Sequence, residues 1–135
     1  MSRVCLCCDA GPEMVPFSGE THRVDYRGAT VDVEGLSGFR CPVCGEIEYD
    51  ADSAERYAAA GDALVLAARR ADGEELRRIR KKLKLNQVEA SRLTGGGHNA
   101  FSRYETGKVV PAPAVVNLFR LLDRHPEEVE RLKRA

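Results

Sequence analysis

Strand-like and helix-like patterns of apolar and polar positions divide the chain into two parts. In the first part, residues 30–34 alternate strictly between apolar and polar side chains, as a half-buried strand does. Three segments there are rich in Val, Thr and Tyr and are separated by turn-forming residues. They are residues 14–18, 21–26 and 29–36. The pattern predicts a small antiparallel sheet.

A helix is predicted to follow the sheet. Asp52 and Ser53 are suitable capping residues for its start. Tyr57 and Leu64 mark one apolar stripe at helical spacing, which continues to about residue 71. Residues 69–73 contain a glycine and three charges, so we expect a linker there.

Five helices are predicted in the second part. Leu76, Ile79 and Leu83 are spaced to lie on the buried face of the first. Asn86 and Glu89 match a capping box, with Asn at the cap and Glu three residues later. We therefore expect a short second helix directly after the first.

Three consecutive glycines predict a turn between the second helix and a third helix over residues 99–106. Two short helices across such a turn form a helix-turn-helix, whose second helix enters the DNA major groove. Phe101 and Tyr104 are predicted core anchors. Asn99 and Arg103 share another face, and their side chains can pair bidentately with adenine and guanine. They are the predicted base readers.

The end of the first of these helices is strongly basic. Six cations and no acid occur among residues 76–84, which favours a surface for DNA phosphates over a merely solvated face. Further phosphate contacts are expected from the glycine turn and the two short helices. The predicted phosphate contacts are Lys82, Gln87, Gly97, His98 and Ser102.

The last two predicted helices are apolar on one side. Pro113 suits a first helical position, and Leu118, Phe119 and Leu122 continue a stripe at helical spacing. Residues 125–128 are predicted to start the final short helix, with Val129 and Leu132 facing inward. Because recognition of a two-fold DNA site requires a dimer, we expect these helices to form a homodimer interface.

Charge is distributed unevenly between the two parts. The chain has 21 basic and 21 acidic residues and a formal net charge of zero. Residues 1–73 carry 7 basic and 13 acidic side chains, whereas residues 74–135 carry 14 and 8. The zero total therefore does not exclude a nucleic-acid binder, because the second part alone has a net charge of +6.

The five cysteines all lie in the first third of the chain and predict a metal site. Cys5 with Cys8, and Cys41 with Cys44, form C-x2-C pairs separated by 32 residues. Two such pairs complete the tetrahedron that Zn²⁺ prefers in structural sites. Cys7 also lies in the first pair, so the partner of Cys8 is open, although spacing favours Cys5. We expect one structural Zn²⁺ per chain on Cys5, Cys8, Cys41 and Cys44, with Cys7 a bystander.

Several classes of protein are disfavoured. No apolar run approaches the roughly 18–20 residues of a membrane span, and the start lacks the apolar core of a secretory signal. We therefore expect a cytoplasmic protein. An enzyme is not expected, because four thiolates leave a zinc ion no open position and no nucleophile–base motif is present.

Residues 95–107, GGGHNAFSRYETG, are similar to the GGGxNAFSRYExG signature of the MqsA (YgiT-type) zinc-finger antitoxin family at every fixed position. Residues 80–83 and 121–126 also follow the family pattern. The resemblance covers nearly the whole chain. It implies an α+β zinc domain over residues 1–70 and an all-α, Xre-like helix-turn-helix domain over residues 71–135.

The resemblance also implies a function. The zinc domain of a type II antitoxin would bind and neutralise an MqsR-like, mRNA-cleaving toxin, and the second domain would dimerise on a palindromic operator and repress transcription. Arg27 matches a family position expected at the toxin or DNA surface. The alternative is a stand-alone transcriptional regulator whose first domain senses a metal or an oxidant, through Cys7.

Overall fold

The computed structural model describes residues 3–9 and 11–135, and within these ranges it contains one sheet followed by helices. The sheet is antiparallel and three-stranded, in the order β1-β2-β3. Two compact units are present, Met1–Val65 and Leu66–Ala135. The predicted fold class, an α+β zinc-finger-like part followed by an all-α part, is confirmed. The elements are β1 (Val15–Tyr26), β2 (Ala29–Arg40), β3 (Ile47–Tyr49), α1 (Ala51–Lys82), α2 (Gln87–Leu93), α3 (Ala100–Glu105), α4 (Pro113–Arg124), a 3-10 turn (Pro126–Glu128) and α5 (Val129–Arg134).

The sheet is built on a long hairpin of β1 and β2. Its two-residue turn, Arg27 and Gly28, has positive φ at both positions (53° and 86°), as the tight turns of twisted hairpins require. Residues 18–20, predicted to separate two strands, form a bulge inside β1 instead, with register shifts on either side of Glu20. β3 was not predicted, because three residues are too few to show an alternating pattern.

Helix α1 is continuous over 32 residues, so the predicted linker at residues 69–73 is wrong. One glycine costs a helix only about 1 kcal/mol relative to alanine, which packing easily offsets. The predicted cap is also displaced. Asp50, rather than Asp52, caps the helix, and its Oδ1 accepts a hydrogen bond from the Ser53 N–H at 2.8 Å.

In the first unit, the beginning of α1 packs on the sheet through aromatic rings. Tyr57 of α1 stacks on Tyr49 of β3 with ring centroids 5.0 Å apart. Leu36 of β2 is fully buried, and Val33 lies beside it in the same strand at 9% exposure. Few large apolar side chains are buried here, so this unit has a small core.

The second unit has a larger apolar core, and the predicted core positions are confirmed there. Leu76, Ile79, Phe101 and Phe119 are fully buried, and the centroids of the two Phe rings lie 4.8 Å apart.

The capping box at the start of α2 is also confirmed, since the Glu89 N–H donates to the Asn86 side chain. Helix α3 is one residue shorter at each end than predicted. No helix in the described part of the chain is long and apolar enough to cross a membrane.

Candidate metal centre and nucleic-acid interface

Four cysteine side chains converge at one end of the first unit. The Sγ atoms of Cys5, Cys8, Cys41 and Cys44 all lie within 4.8 Å of one another. Cys5 Sγ is 3.7 Å from Cys44 Sγ, and Cys8 Sγ is 3.7 Å from Cys41 Sγ. A tetrahedral ion with metal–sulfur bonds of about 2.3 Å places its ligands about 3.8 Å apart. The four thiols therefore fit a tetrahedral metal ion.

Two short loops hold these cysteines in place. The Cys5 N–H donates to the Pro12 carbonyl and the Cys41 N–H to the Glu46 carbonyl, each at 2.9 Å. Gly45 has a φ of 79° and returns a hydrogen bond to the Cys41 carbonyl at 3.0 Å. A side chain at that φ would strain the loop, which explains a glycine directly after the second pair.

The loops also set the charge of the thiols. The backbone N–H groups of Cys44 and Val43 point at Cys41 Sγ, at 3.5 and 3.4 Å, and they hold the pKa of Cys41 at about 6. In contrast, the crowding of thiols, Cys44 first among them, raises the pKa of Cys8 to about 12. Four thiolates cannot share this space without a cation, so the donor set calls for one.

The arrangement suits a structural metal rather than a catalytic one. Cys5 and Cys41 are buried and form a small cluster with Met14, against which Cys8 and Phe39 pack. The site thus forms the core of this end of the unit, with four protein ligands and no open position. Cys7 is exposed and lies outside the group, so the structure brings Cys5, not Cys7, together with Cys8.

One buried serine links the two helices of the helix-turn-helix by hydrogen bonds. Ser91 of α2 is 1% exposed, and its Oγ accepts a hydrogen bond from the Phe101 N–H at 3.1 Å. Its carbonyl accepts another from the Gly96 N–H at 2.9 Å. The first bond joins α2 to the first turn of α3, and the second joins α2 to the glycine turn. The sequence shows no pattern that distinguishes this serine from an exposed one.

Helix α3 presents the two predicted base readers to solvent. Phe101 anchors the inner face at 0% exposure, and Tyr104 packs partly buried against the same core. Asn99 and Arg103 are both exposed. Asn99 stands at the cap position of α3, yet its side chain makes no capping hydrogen bond. Both groups are therefore available to base edges.

A buried ion pair ties α3 to α1 and α2, and sequence reasoning missed it. The Glu105 carboxylate is 4% exposed and binds the Arg80 guanidinium through three contacts of 2.8–3.2 Å. Gln87 Nε2 donates to the same carboxylate at 3.2 Å. The one signal in the sequence that could have indicated this pair is Glu105 itself, a single acidic residue at the end of a short helix, downstream of the basic residues 76–84.

Some of the predicted phosphate contacts are exposed, and others already bind an acidic residue of the chain. Gly97 and His98 are exposed in the turn before α3, and Ser102 is half-buried in α3. Gln87 is bound to Glu105. Lys82 Nζ lies 2.7 Å from both the carbonyl and the carboxylate of Asp123.

Two further predicted surfaces can be located. Arg27 is exposed at the tip of the β1–β2 hairpin. In the second unit, a groove of about 420 Å³ opens between α4 and α5, with Leu121 beside it at 55% exposure. Its lining includes Leu118 and Leu132. An open apolar groove of this kind is typical of a protein interface.

Comparison with known proteins bears on both sites. The family model described as the antitoxin component of a bacterial toxin–antitoxin system, MqsA, matches residues 3–133. A curated relative, the antitoxin MqsA of Escherichia coli strain K12, is 36% identical over 110 residues. This alignment covers 80% of the present chain and 84% of the relative.

Proposed function

Because the chain belongs to the MqsA family of antitoxin components of bacterial toxin–antitoxin systems, we propose that its two units divide the work of such a protein. The first unit, folded around Zn²⁺, binds and neutralises an MqsR-like, mRNA-cleaving toxin. The second unit dimerises, binds a palindromic operator and represses transcription in the cytoplasm. No catalytic role is assigned to any residue.

The DNA-binding half of the proposal rests on the face of α3. Asn99 and Arg103 are exposed there, while Phe101 fixes the opposite face in the core. Side chains that project from a rigid helix reach base edges with little loss of conformational entropy on binding. Asn99 reads adenine and Arg103 reads guanine. Gln87, Gly97, His98 and Ser102 lie on or beside the same two helices and contact phosphates.

The toxin-binding half is supported by charge. The first unit, Met1–Val65, carries 5 basic and 12 acidic residues. An RNA-cleaving toxin must attract a polyanion, so its own surface is basic, and an acidic partner complements it. Arg27 lies at the hairpin tip of this unit and is a candidate contact to toxin or DNA.

Zinc supports this function by stabilising the first unit. Cys5, Cys8, Cys41 and Cys44 hold the ion, and the energy of binding becomes folding energy because the unfolded chain has no preformed site. The small apolar core of the unit makes this contribution necessary.

Dimerisation uses the groove between α4 and α5. A second copy related by a two-fold axis would cover Leu121 and its neighbours and place two copies of α3 on successive half-sites. The half-sites of the operator are therefore expected about one helical turn apart, or a multiple of it.

One experiment tests both halves. The chain is purified with and without the protein encoded by the neighbouring gene, which we expect to be small and basic, and binding to DNA from upstream of the antitoxin gene is measured. We expect a stable protein complex that abolishes RNA cleavage, and specific binding to the upstream duplex. A neighbour that still cleaves RNA at equimolar antitoxin would contradict the toxin half, and this result would favour the stand-alone regulator.

A further inference from the structure

The six cations at the end of α1 fall into two sets. Three are bound within the second unit: Arg80 lies 2.8 Å from the Glu105 carboxylate, and Arg78 and Lys82 lie 3.1 and 2.7 Å from the Asp123 carboxylate. The other three are exposed and form no ion pair with any described residue. They are Arg77, Lys81 and Lys84.

The first exposed cation, Arg77, lies on the side of α1 that packs against α3. A Cβ on Gly73 would lie only 2.4 Å from a backbone oxygen of α3, and Arg80 binds Glu105 at the end of the same helix. Arg77 is four residues after Gly73 and three before Arg80, so it belongs to the same row of side chains. Lys81 follows Arg77 by one further turn. The set bound to Asp123, in contrast, faces α4.

Lys84 has an unusual backbone for a lysine. Its φ is 58°, in the left-handed region that favours glycine. It lies just after α1, in a turn closed by a hydrogen bond from the Leu85 N–H to the Arg80 carbonyl at 3.1 Å. A glycine in this position would avoid the strain. The lysine side chain brings an exposed ammonium group to the turn between α1 and α2, and strained residues of this kind cluster at functional sites.

We propose that Arg77, Lys81 and Lys84 form a cationic stripe that contacts the phosphate backbone of double-stranded DNA. Lys82, in contrast, stabilises the packing of α1 on α4. The assignment rests on the proposed DNA-binding function and specifies its non-specific, electrostatic part. An unpaired cation beside the helix-turn-helix releases a counterion when it meets a phosphate. Lys82 is already neutralised by Asp123 at 2.7 Å and must first give up that contact.

The test measures the salt dependence of binding, using the full chain and a short duplex of random sequence. Lys81→Gln and Lys84→Gly are each expected to reduce the slope of log K against log salt concentration by about 0.9, the effect of losing one phosphate contact. Lys84→Arg is expected to keep the wild-type slope. Arg134→Gln, at the exposed end of α5, removes the same charge and is the matched control.

Thermal unfolding excludes a folding defect. Lys84→Gly removes a strained side chain, so its melting temperature is expected to equal or exceed that of the wild type while its DNA affinity falls. The cationic stripe would be contradicted if the salt dependence of binding were unchanged in Lys81→Gln and Lys84→Gly, or if it fell only in Lys82→Gln. Either result would leave the proposed DNA-binding function standing. A wild-type chain that binds no duplex even at low salt would overturn the proposed DNA-binding function and the stripe with it.

Discussion

Gly73 shows how a single residue decides whether α1 and α3 can pack closely. The helix runs straight through this position, and a Cβ there would lie 2.4 Å from the Tyr104 carbonyl oxygen and 3.3 Å from Glu105 Cα. Backbone atoms cannot yield as the end of a long side chain does. The glycine is therefore required by a tertiary contact, although by helix propensity it is unfavourable.

Alanine substitutions at two glycines of α1 are expected to have opposite effects. Gly73→Ala should lower the free energy of unfolding by about 1–3 kcal/mol, the usual cost of overpacking. Gly61→Ala should raise it by about 0.5–1 kcal/mol, because its Cβ would meet only Val24 Cγ1 at an ordinary 3.8 Å. Urea unfolding followed by circular dichroism measures both. A stabilised Gly73→Ala variant would contradict the close approach of α1 and α3.

The two exposed side chains of α3 give a second prediction at this scale. Asn99→Ala and Arg103→Ala are each expected to weaken binding to the operator by about 1–3 kcal/mol and to relax the base preference at one position. The measurement is competition against single-base variants of the upstream duplex. Arg124→Ala removes an exposed cation from α4 and serves as control. Intact specific binding by Arg103→Ala would show that α3 is not the recognition helix.

At the scale of the element, ion pairs join helices α1 and α4 of the second unit. Asp123 of α4 binds both Arg78 and Lys82 of α1, and nearby Arg120 of α4 binds Glu75 of α1 at 2.9 Å. Two of these cations, Arg78 and Lys82, belong to the six that the sequence alone assigns to a DNA surface. Paired charges of opposite sign contribute little to the field that DNA experiences.

The stability of the second unit is expected to depend on pH through Asp123. Hydrogen bonds from Arg78, and then from Lys82, hold the pKa of Asp123 at about 2, below its ordinary value of 3.8. A carboxyl group with a depressed pKa stabilises the fold above its unfolded pKa, and this stabilisation is lost as the pH falls through the folded pKa. The loss should therefore occur between about pH 4 and pH 2.

Asp123→Asn tests this dependence. The wild type should be more stable than the variant at neutral pH, and the difference should shrink from about pH 4 and vanish only below about pH 2, where the Asp123 carboxyl group is protonated in the folded state as well. Urea unfolding of both proteins across this range gives the difference directly. A difference that stays constant with pH would mean that the effect of the substitution is steric and not electrostatic.

At the scale of the whole molecule, the two units are stabilised by different means. The second contains an apolar core around Phe101 and Phe119, whereas the first has a small core at the sheet and a thiol cluster at its end. Metal removal should therefore unfold the first unit selectively. The separation also explains the zero net charge, which sums an acidic unit and a basic one.

Two exposed cysteines allow a matched test of the metal centre. Cys44→Ser is expected to abolish stoichiometric zinc binding and to disorder the first unit, because Cys44 is one of the four converging thiols. Cys7→Ser should keep one zinc per chain and a folded sheet, since Cys7 lies outside the group. Elemental analysis and the dispersion of amide signals in NMR spectra measure both effects. Loss of zinc from Cys7→Ser would contradict the ligand set.

Local and periodic signals were sufficient for much of the fold and of the candidate sites. The C-x2-C pairs, the capping box at Asn86 and the spacing of Leu76 and Ile79 each depend on residues close together in the sequence, so their structures can be inferred without long-range contacts. The exposure of Asn99 and Arg103 follows from the burial of Phe101 by the same helical geometry.

What only the tertiary structure decided is which groups meet across long stretches of sequence. Only the contact with α3 explains why a glycine stands inside α1 at position 73, and whether Lys82 is free depends on Asp123, 41 residues away. The same holds for the burial of Glu105 against Arg80. Local propensities differ by only about 1 kcal/mol per residue, and contacts between distant residues are strong enough to override them. The sequence by itself therefore determined the kinds of element and site present, and long-range packing decided how far each helix runs and which charges face the solvent.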